Sequence, residues 1–202
     1  MSRDTVIVIK SVNYGEADKI LTVFGKNTGK FSLFAKGIRK INSRNRGNMQ
    51  TLTTSKISFY EGRGIPLLTE SEFVSTLNID KLEIENVRRV LFLLNKFLQD
   101  YDPYPKLFNS LQNSLNKNLD IRATNKFRMI FLKEMGFLSD FSNCEKCGAQ
   151  KDLEYLSKEG FALICKNCYS KSNGYPLGDD PYASVNLTRR LDEYVKKVVD
   201  EI

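Results

Sequence analysis

The motifs Cys144-Glu-Lys-Cys147 and Cys165-Lys-Asn-Cys168 contain all four cysteines of the chain, with 17 residues between them. Each Cys-x-x-Cys turn can direct two thiolates at one metal ion, so two turns supply the closed tetrahedral sulfur set of structural zinc. Gly148 follows the first pair, where a tight metal-binding turn favours glycine. We therefore predict a structural zinc ion held by these four cysteines.

Apolar residues between the two pairs flank Lys158-Glu-Gly160, which predicts a short hairpin clamped by the metal, a zinc ribbon of residues 143–170. Disulfide bonds are one alternative, but they need an oxidising compartment, and no secretory signal is expected here. A redox pair is another alternative, but it needs only one such motif, beside a βαβ pattern that is absent. A catalytic zinc is not expected, because four cysteines leave no open coordination position.

The chain of 202 residues is 41% hydrophobic and 27% charged, which is typical of a soluble protein with one to three small domains. No apolar run approaches the roughly 20 residues that a membrane-spanning helix needs. We therefore expect a cytoplasmic protein without membrane attachment.

The net charge of +7 is confined to one part of the chain. Residues 1–70 contain 12 Lys+Arg and 5 Asp+Glu, whereas residues 71–202 contain 19 of each. A local basic excess is expected of a protein that binds a polyanion, although a solvated basic face without a partner would have the same composition.

The absence of histidine removes several classes of enzyme from consideration. General-base imidazoles, Ser-His or Cys-His nucleophile pairs and His-bound catalytic metals are all excluded. The sequence also has neither a Walker-type phosphate loop nor a recognisable cluster of carboxylates. We expect a protein that is not an enzyme and has no small-molecule substrate.

Five short strands are predicted near the N-terminus, over residues 5–13, 19–24, 30–35, 51–60 and 65–71. The apolar alternation assigns Phe31 and Phe59 to a core and predicts that the first strand is buried on both faces where it starts. Five strands with glycine-rich turns favour a closed barrel of the OB-fold type, with an SH3-like barrel as the alternative. The predicted OB domain covers residues 1–77.

The connection between the third and fourth strands is strongly basic and contains no acidic residue. Its cations are Lys36, Arg39, Lys40, Arg44 and Arg46. Glycines and asparagines predict that this loop is mobile, and such a loop beside an aromatic-bearing OB face suits the binding of a nucleic-acid strand. Further candidates for the same face are Lys10, Lys30, Arg63, Tyr14, Phe34 and Tyr60. Burial in the core would explain these aromatics equally well.

From Asn78 onward, apolar residues recur at helical spacing; in the first helix they begin with Ile84, and packing in a helical core explains them. Helices are predicted over residues 80–100, 105–116, 121–135 and 188–202, with Asp80 as the first N-cap and residues 172–178 as a loop. These helices define an α-helical domain of residues 78–142 and 171–202, into which the ribbon is inserted. The predicted fold class is α+β and multidomain.

This order of basic barrel, helices and inserted four-cysteine ribbon resembles the RecO family of bacterial recombination mediators. The segment Tyr14-Gly-Glu-Ala-Asp18-Lys-Ile-Leu21 is similar to the family's Gly-Glu-x-Asp-x-Ile/Leu-Leu motif. The run from Ala35 to Lys40 is similar to its Gly-x-Arg-Lys/Arg signature, and residues 128–137 are similar to the helix that precedes its zinc module. The resemblance covers nearly the whole chain.

The resemblance implies a non-enzymatic protein that binds single- and double-stranded DNA through the OB domain and anneals complementary strands. It implies action with RecR to place RecA on strands coated by the single-stranded-DNA-binding protein SSB. It implies zinc at the four cysteines and DNA contacts at Lys36, Arg39 and Lys40, to which Arg44 and Arg46 are added as members of the same loop. Because the chain is short for the family, part of the C-terminal helical region, with any SSB-tail site there, is expected to be missing.

Two other classes of protein stay open on the sequence alone. One is an RNA-binding or transcription-associated protein built from a barrel and a ribbon. The other is a protein-interaction adaptor whose basic loop meets an acidic partner. Preference for RNA over single-stranded DNA would indicate the first class, and absence of DNA binding at low salt would indicate the second.

Overall fold

The computed structural model describes residues 1–78, 83–138, 142–158, 161–178 and 180–201. Its contacts divide the chain into two compact units, Met1–Leu119 and Asp120–Ile202. The first two helices belong to the unit that contains the barrel. The domain boundaries derived from the sequence stay a prediction.

A closed barrel of five strands forms the N-terminal part of the first unit. Its strands are β1 (Ser2–Tyr14), β2 (Asp18–Gly25), β3 (Gly29–Ala35), β4 (Thr54–Tyr60) and β5 (Leu67–Ser75). Their spatial order is β1-β2-β3-β5-β4, and β4 pairs back onto β1. A parallel pairing of Phe34 in β3 with Leu67 in β5 completes the closure. The predicted five-stranded OB-type barrel is confirmed.

Alternate residues of the strands point inward and form the barrel core. Phe31 and Phe59 are both buried, as predicted, and their ring centroids lie 5.2 Å apart. Ile38 and Met49, from the connection between β3 and β4, belong to the same buried cluster. The basic loop therefore contributes two apolar side chains to the core of the barrel on which it lies.

Two helices, α1 (Ile84–Phe97) and α2 (Pro105–Leu115), cover part of the outer surface of the barrel. The Phe108 ring of α2 lies 5.7 Å from the ring of Phe24 in β2. Asn95 of α1 donates a hydrogen bond from Nδ2 to the carbonyl oxygen of Ile9, at 3.3 Å. Because residues 6–9 are all buried beneath this layer, the prediction that the first strand is buried on both faces where it starts is confirmed.

The N-terminus of α1 differs from the prediction. Its N-cap residue is Glu83, whose side chain makes no capping hydrogen bond. The predicted cap, Asp80, lies outside the described residues. Ile84 was predicted to face the core but is exposed, whereas Asn86 is buried and donates a hydrogen bond to the carbonyl oxygen of Leu119 at 2.9 Å.

The linker between α1 and α2 lies against the beginning of β3. Tyr101 donates a backbone hydrogen bond to the carbonyl oxygen of Lys30 at 2.8 Å. Gly29 adopts a φ of 79°, and a Cβ atom at this position would overlap the backbone of Asp102. Glycine is thus required at this position both for its backbone conformation and for the close approach of the linker.

Substitution Gly29→Ala should lower the free energy of unfolding by more than about 3 kcal/mol. The left-handed conformation costs a residue with a Cβ roughly 1–2 kcal/mol, and the overlap with backbone adds to that cost. Urea-unfolding midpoints measure the change. Gly15→Ala is the matched control, because Gly15 has a φ of 56° but a Cβ atom added there would meet no described atom within 4 Å. Equal losses for the two variants would contradict the close approach at Gly29.

The second unit contains two helices and a small sheet. The helices are α3 (Ile121–Glu134) and α4 (Val185–Asp200), and the strands are β6 (Tyr155–Ser157), β7 (Leu163–Ile164) and β8 (Gly174–Pro176). Arg128 of α3 is only 2% exposed, and its Nη2 lies 2.6 Å from Oδ1 of Asp192 in α4. Asn125 donates a hydrogen bond to the hydroxyl of Thr188 at 2.8 Å. Polar contacts between α3 and α4 therefore fix how the two helices pack.

The strand β8 corrects one prediction, because residues 172–178 were assigned to a loop. It pairs with β6 along Leu156 and Tyr175, which gives the sheet order β7-β6-β8. Gly174 allows this pairing, since a Cβ there would lie 3.2 Å from Cδ2 of Tyr169. Pro176 is tolerated because β8 is an edge strand.

The helix α4 also begins earlier than predicted, with Ser184 as its N-cap.

Candidate metal centre and nucleic-acid surface

The four cysteines converge at one place in the second unit, where their Sγ atoms all lie within 4.8 Å of one another. The first pair ends in a tight turn at Gly148, which has a φ of 72°, as its position predicted. The second pair is closed by a 3-10 turn, in which Cys168 donates a backbone hydrogen bond to Cys165 at 3.1 Å. The Sγ atoms of Cys147 and Cys165 are 3.7 Å apart. Tetrahedral zinc with bonds of about 2.3 Å places its sulfurs about 3.8 Å apart, so this geometry fits zinc.

The electrostatics of the cysteine cluster differ from one sulfur to the next. Burial opposes ionisation of Cys144, but backbone N–H groups of Cys165, Lys146 and Cys147 lower the pKa of its thiol to about 6. Hydrogen bonds with Cys147 and Cys165, followed by burial and the charge on Cys144, raise the pKa of Cys168 to about 12. Protein groups alone therefore favour ionisation of one sulfur and oppose it at another. A divalent cation would stabilise all four thiolates together.

The cysteine cluster holds together a module with a small core of its own. Ile164 is buried between the cysteines, and the rings of Tyr155 and Tyr169 stack at a centroid distance of 3.7 Å. Arg190 of α4 donates a hydrogen bond from Nη2 to the carbonyl oxygen of Lys158, at 3.0 Å. The ribbon is thus attached to α4, and its shape depends on few apolar contacts.

The basic loop between β3 and β4 is a series of turns anchored to the barrel. Gly37 donates its N–H to the Asp18 carboxylate at 2.6 Å, and Arg39 donates its N–H to the carbonyl oxygen of Ala17 at 2.9 Å. At the other end of the loop, the Asn48 side chain donates to the carbonyl oxygen of Ser71 at 2.8 Å. The structure therefore shows a loop whose two ends are both anchored to the barrel, and its mobility stays a prediction.

The five predicted DNA-contacting residues are all exposed, but they do not form one group. Arg39 and Arg46 line a concavity of about 360 Å³. Arg44 lines a different groove of about 920 Å³, which also contains Glu70 and Glu72. Lys36 and Lys40 are exposed in the same loop and line neither of these concavities.

Besides Ile38, three polar residues that the sequence analysis did not select line the concavity of Arg39 and Arg46. They are Asn13, Lys19 and Gln50. The strand register places Asn13 beside Lys19, because Lys19 lies opposite both Asn13 of β1 and Ala35 of β3, whereas Gln50 comes from the end of the basic loop. No local sequence signal marks this arrangement, which depends on pairing between strands.

The other candidates for the basic face have separate positions. Lys30 forms an ion pair with Asp100 at 3.3 Å and is largely buried, so it belongs to the contact between β3 and the helix linker. Tyr14 and Tyr60 are 56% and 58% exposed, and Phe34 is half-buried. The two tyrosines therefore lie on the surface and not in the core.

Among the described residues, no helix combines the length and the apolar content needed to cross a bilayer.

Comparison with known proteins identifies the family. Residues 1–77 match the family model described as "Recombination protein O N terminal", and residues 89–187 match "Recombination protein O C terminal". The curated "DNA repair protein RecO" of Thermodesulfovibrio yellowstonii is 33% identical, over 97% of this chain and 78% of that protein. The chain belongs to the RecO family. A second RecO, from Syntrophomonas wolfei, is 28% identical over 93% of this chain and 78% of that protein.

The two RecO matches correspond to parts of the structure already described. The N-terminal match contains all five strands of the barrel, which ends at Ser75. The C-terminal match contains α2, α3 and the four clustered cysteines. Both the basic loop and the cysteine cluster thus lie inside the regions that this chain shares with the RecO family.

Proposed function

We propose that this RecO-family chain is a DNA-binding mediator of recombination in DNA repair and catalyses no bond change. The observation that carries the proposal is the grouping of Lys19, Arg39 and Arg46 around one concavity, together with the amides of Asn13 and Gln50. No carboxylate is among the described residues that line it. A lining of cations and amide donors suits the phosphate oxygens of a nucleic acid.

In the proposed mechanism, the loop neutralises phosphates on two strands at once. Lys36 and Lys40 extend the cationic surface beyond the concavity, because both are exposed in the same anchored loop. Lower repulsion between the strands lets complementary bases pair. Arg44 contributes less, since Glu70 and Glu72 share its groove. The chain then acts in the cytoplasm with RecR to place RecA on SSB-coated strands, without a small-molecule substrate.

We also propose zinc as the resident metal of the cysteine cluster, with a structural role. Cys144, Cys147, Cys165 and Cys168 would be its four ligands, which leaves no coordination position for a substrate. The ion would stabilise four neighbouring thiolates and fix the two turns that carry them. It supplies shape to the ribbon and takes no part in a reaction.

Annealing of two complementary single strands by the purified chain tests the proposed function, at low and moderate salt and with or without an SSB coat. We expect rapid annealing that weakens steeply with salt, because each phosphate contact releases counterions. Absence of both binding and annealing at low salt would overturn the proposal in favour of an adaptor for an acidic protein. Tighter binding to RNA than to single-stranded DNA would overturn it in favour of an RNA-binding protein.

A further inference from the structure

A row of apolar side chains crosses the outer surface of the barrel. Its members, one from each strand, are Val12, Ile20, Phe34, Leu67 and Tyr60. Each is paired directly with the next in the strand register, and directly opposed residues lie on the same face of a sheet. The adjacent residues Leu21 and Leu33 belong to the buried core, so this row faces away from the core.

The two tyrosines of this surface each lie close to a neighbouring residue while much of their area remains exposed. Tyr14 lies two residues after Val12, on the same face of β1, and its ring packs edge to face against Phe34 at a centroid distance of 5.7 Å. Tyr60 lies beside Gly62, where a Cβ would be 3.3 Å from ring atom Cε1. Both tyrosines are more than half exposed. Exposed tyrosine rings provide flat apolar surfaces, and their two χ angles keep the cost in side-chain entropy low.

Cations lie beside the aromatic row at several points. Lys10 is exposed in the neighbouring row, opposite Thr22. Arg39 donates a hydrogen bond from Nη1 to the carbonyl oxygen of Gly15, the residue after Tyr14, at 3.2 Å. Arg63 is exposed in the turn that follows Tyr60. Acidic residues lie nearby as well: Glu16 and Glu61 are in the turns, and Asp18 is paired with Tyr14, where its carboxylate accepts the N–H of Gly37. An apolar row flanked by cations fits a polyanion that also carries flat apolar groups.

We propose that Tyr14, Phe34 and Tyr60 form a stacking surface for the unpaired bases of single-stranded DNA. This inference rests on the proposed DNA binding and deepens it. Base faces in a duplex are covered by neighbouring bases, so only an unpaired strand can stack on these rings. The loop cations contact phosphates, which single strands and duplexes both display. The barrel then has two kinds of DNA contact. The loop cations bind both single strands and duplexes, whereas the aromatic rings bind only single strands.

The double variant Tyr14→Ala/Tyr60→Ala tests the stacking surface. Fluorescence anisotropy compares its binding to labelled oligo-dT and to a mixed-sequence duplex of equal length. We expect single-strand affinity to fall at least about tenfold, since each stacked base contributes roughly 1–3 kcal/mol, while duplex affinity and the salt dependence stay unchanged. Tyr14→Phe/Tyr60→Phe should restore binding, because it keeps both rings. Phe92→Ala removes an exposed ring from α1 and should change neither affinity.

The outcomes separate this inference from the proposed function. Equal losses for both forms of DNA, or no loss for either, would overturn the stacking surface. If the unmodified chain binds neither form, the proposed function itself fails. If Arg39→Glu and Arg46→Glu weaken binding to both forms of DNA while the tyrosine variant binds normally, the proposed DNA binding is supported and the stacking surface is refuted. Thermal melting confirms that the variants are folded, and the single Tyr60→Ala variant gives the same comparison should the double variant melt early.

Discussion

The triple variant Lys36→Glu/Arg39→Glu/Lys40→Glu is expected to lose strand annealing while it keeps its fold. Each substitution puts an anion where a cation would meet a phosphate, and all three side chains are exposed. A charge-assisted contact contributes about 1.5 kcal/mol or more, so the combined loss of affinity should exceed roughly a hundredfold. The slope of log affinity against log salt should also become shallower by roughly two, since each contact to a single strand contributes about 0.7.

A control variant with the same net charge separates a local effect from a general one. Arg88, Lys96 and Lys117 are exposed in or next to α1 and α2, in the same unit as the barrel. Their triple substitution to glutamate should leave annealing close to that of the unmodified chain. Annealing rates, measured by the fluorescence of paired labels, and melting curves decide the outcome. Normal annealing by a folded loop variant, or equal losses in both variants, would refute the assignment of the loop.

The features that the sequence predicted are those encoded over short distances in the chain. Apolar alternation placed Phe31 and Phe59 in the core, where both are buried. The spacing of the two Cys-x-x-Cys pairs predicted a cluster that the structure brings together. Gly148 has the left-handed backbone that its position after Cys147 indicated. Strand periodicity and metal-ligand spacing are local patterns, which is why they could be predicted without a structure.

The features that the sequence did not reveal depend on pairing between distant segments. The three residues of β8 contain a glycine and a proline, and they form a strand only because β6 offers an edge for pairing. Lys19 lines the same concavity as Arg39 and Arg46 because the loop folds back over the barrel, an arrangement that no spacing in the sequence encodes. Lys30 is a cation and was therefore a candidate DNA contact, but the linker between α1 and α2 places Asp100 beside it.

The face of α1 shows how tertiary packing overrides a periodic pattern. Helical spacing alone assigned Ile84 to the buried side, yet this residue is exposed. Asn86 is buried instead, because the carbonyl oxygen of Leu119 accepts its hydrogen bond. A helix end can place a polar side chain inside when a partner for it comes from another segment. The pattern therefore predicted that a helix exists here, but not which residues are buried in its first turn.

Removal of zinc is expected to unfold the ribbon while the barrel keeps its DNA contacts. The strands β6, β7 and β8 are only two or three residues long, and their core contains few apolar side chains. Structural zinc contributes roughly 10–16 kcal/mol of apparent binding energy in small zinc modules at neutral pH, far more than such a core can replace. A strong chelator should therefore lower the stability of the second unit before it affects annealing, since the barrel has a separate core.

Two variants distinguish loss of the metal from a general weakening of the ribbon. Cys144→Ser removes a buried member of the proposed ligand set and should abolish stoichiometric zinc binding. Lys166→Ala changes an exposed residue between Cys165 and Cys168 and should leave one zinc per chain. Native mass spectrometry measures the zinc, and amide hydrogen exchange at β6 and β8 measures the fold of the ribbon. A chain that folds normally, protects these strands and holds no zinc would end the metal assignment. Protection that falls only when zinc leaves would show that the four cysteines, and not the small core around Ile164, determine the ribbon.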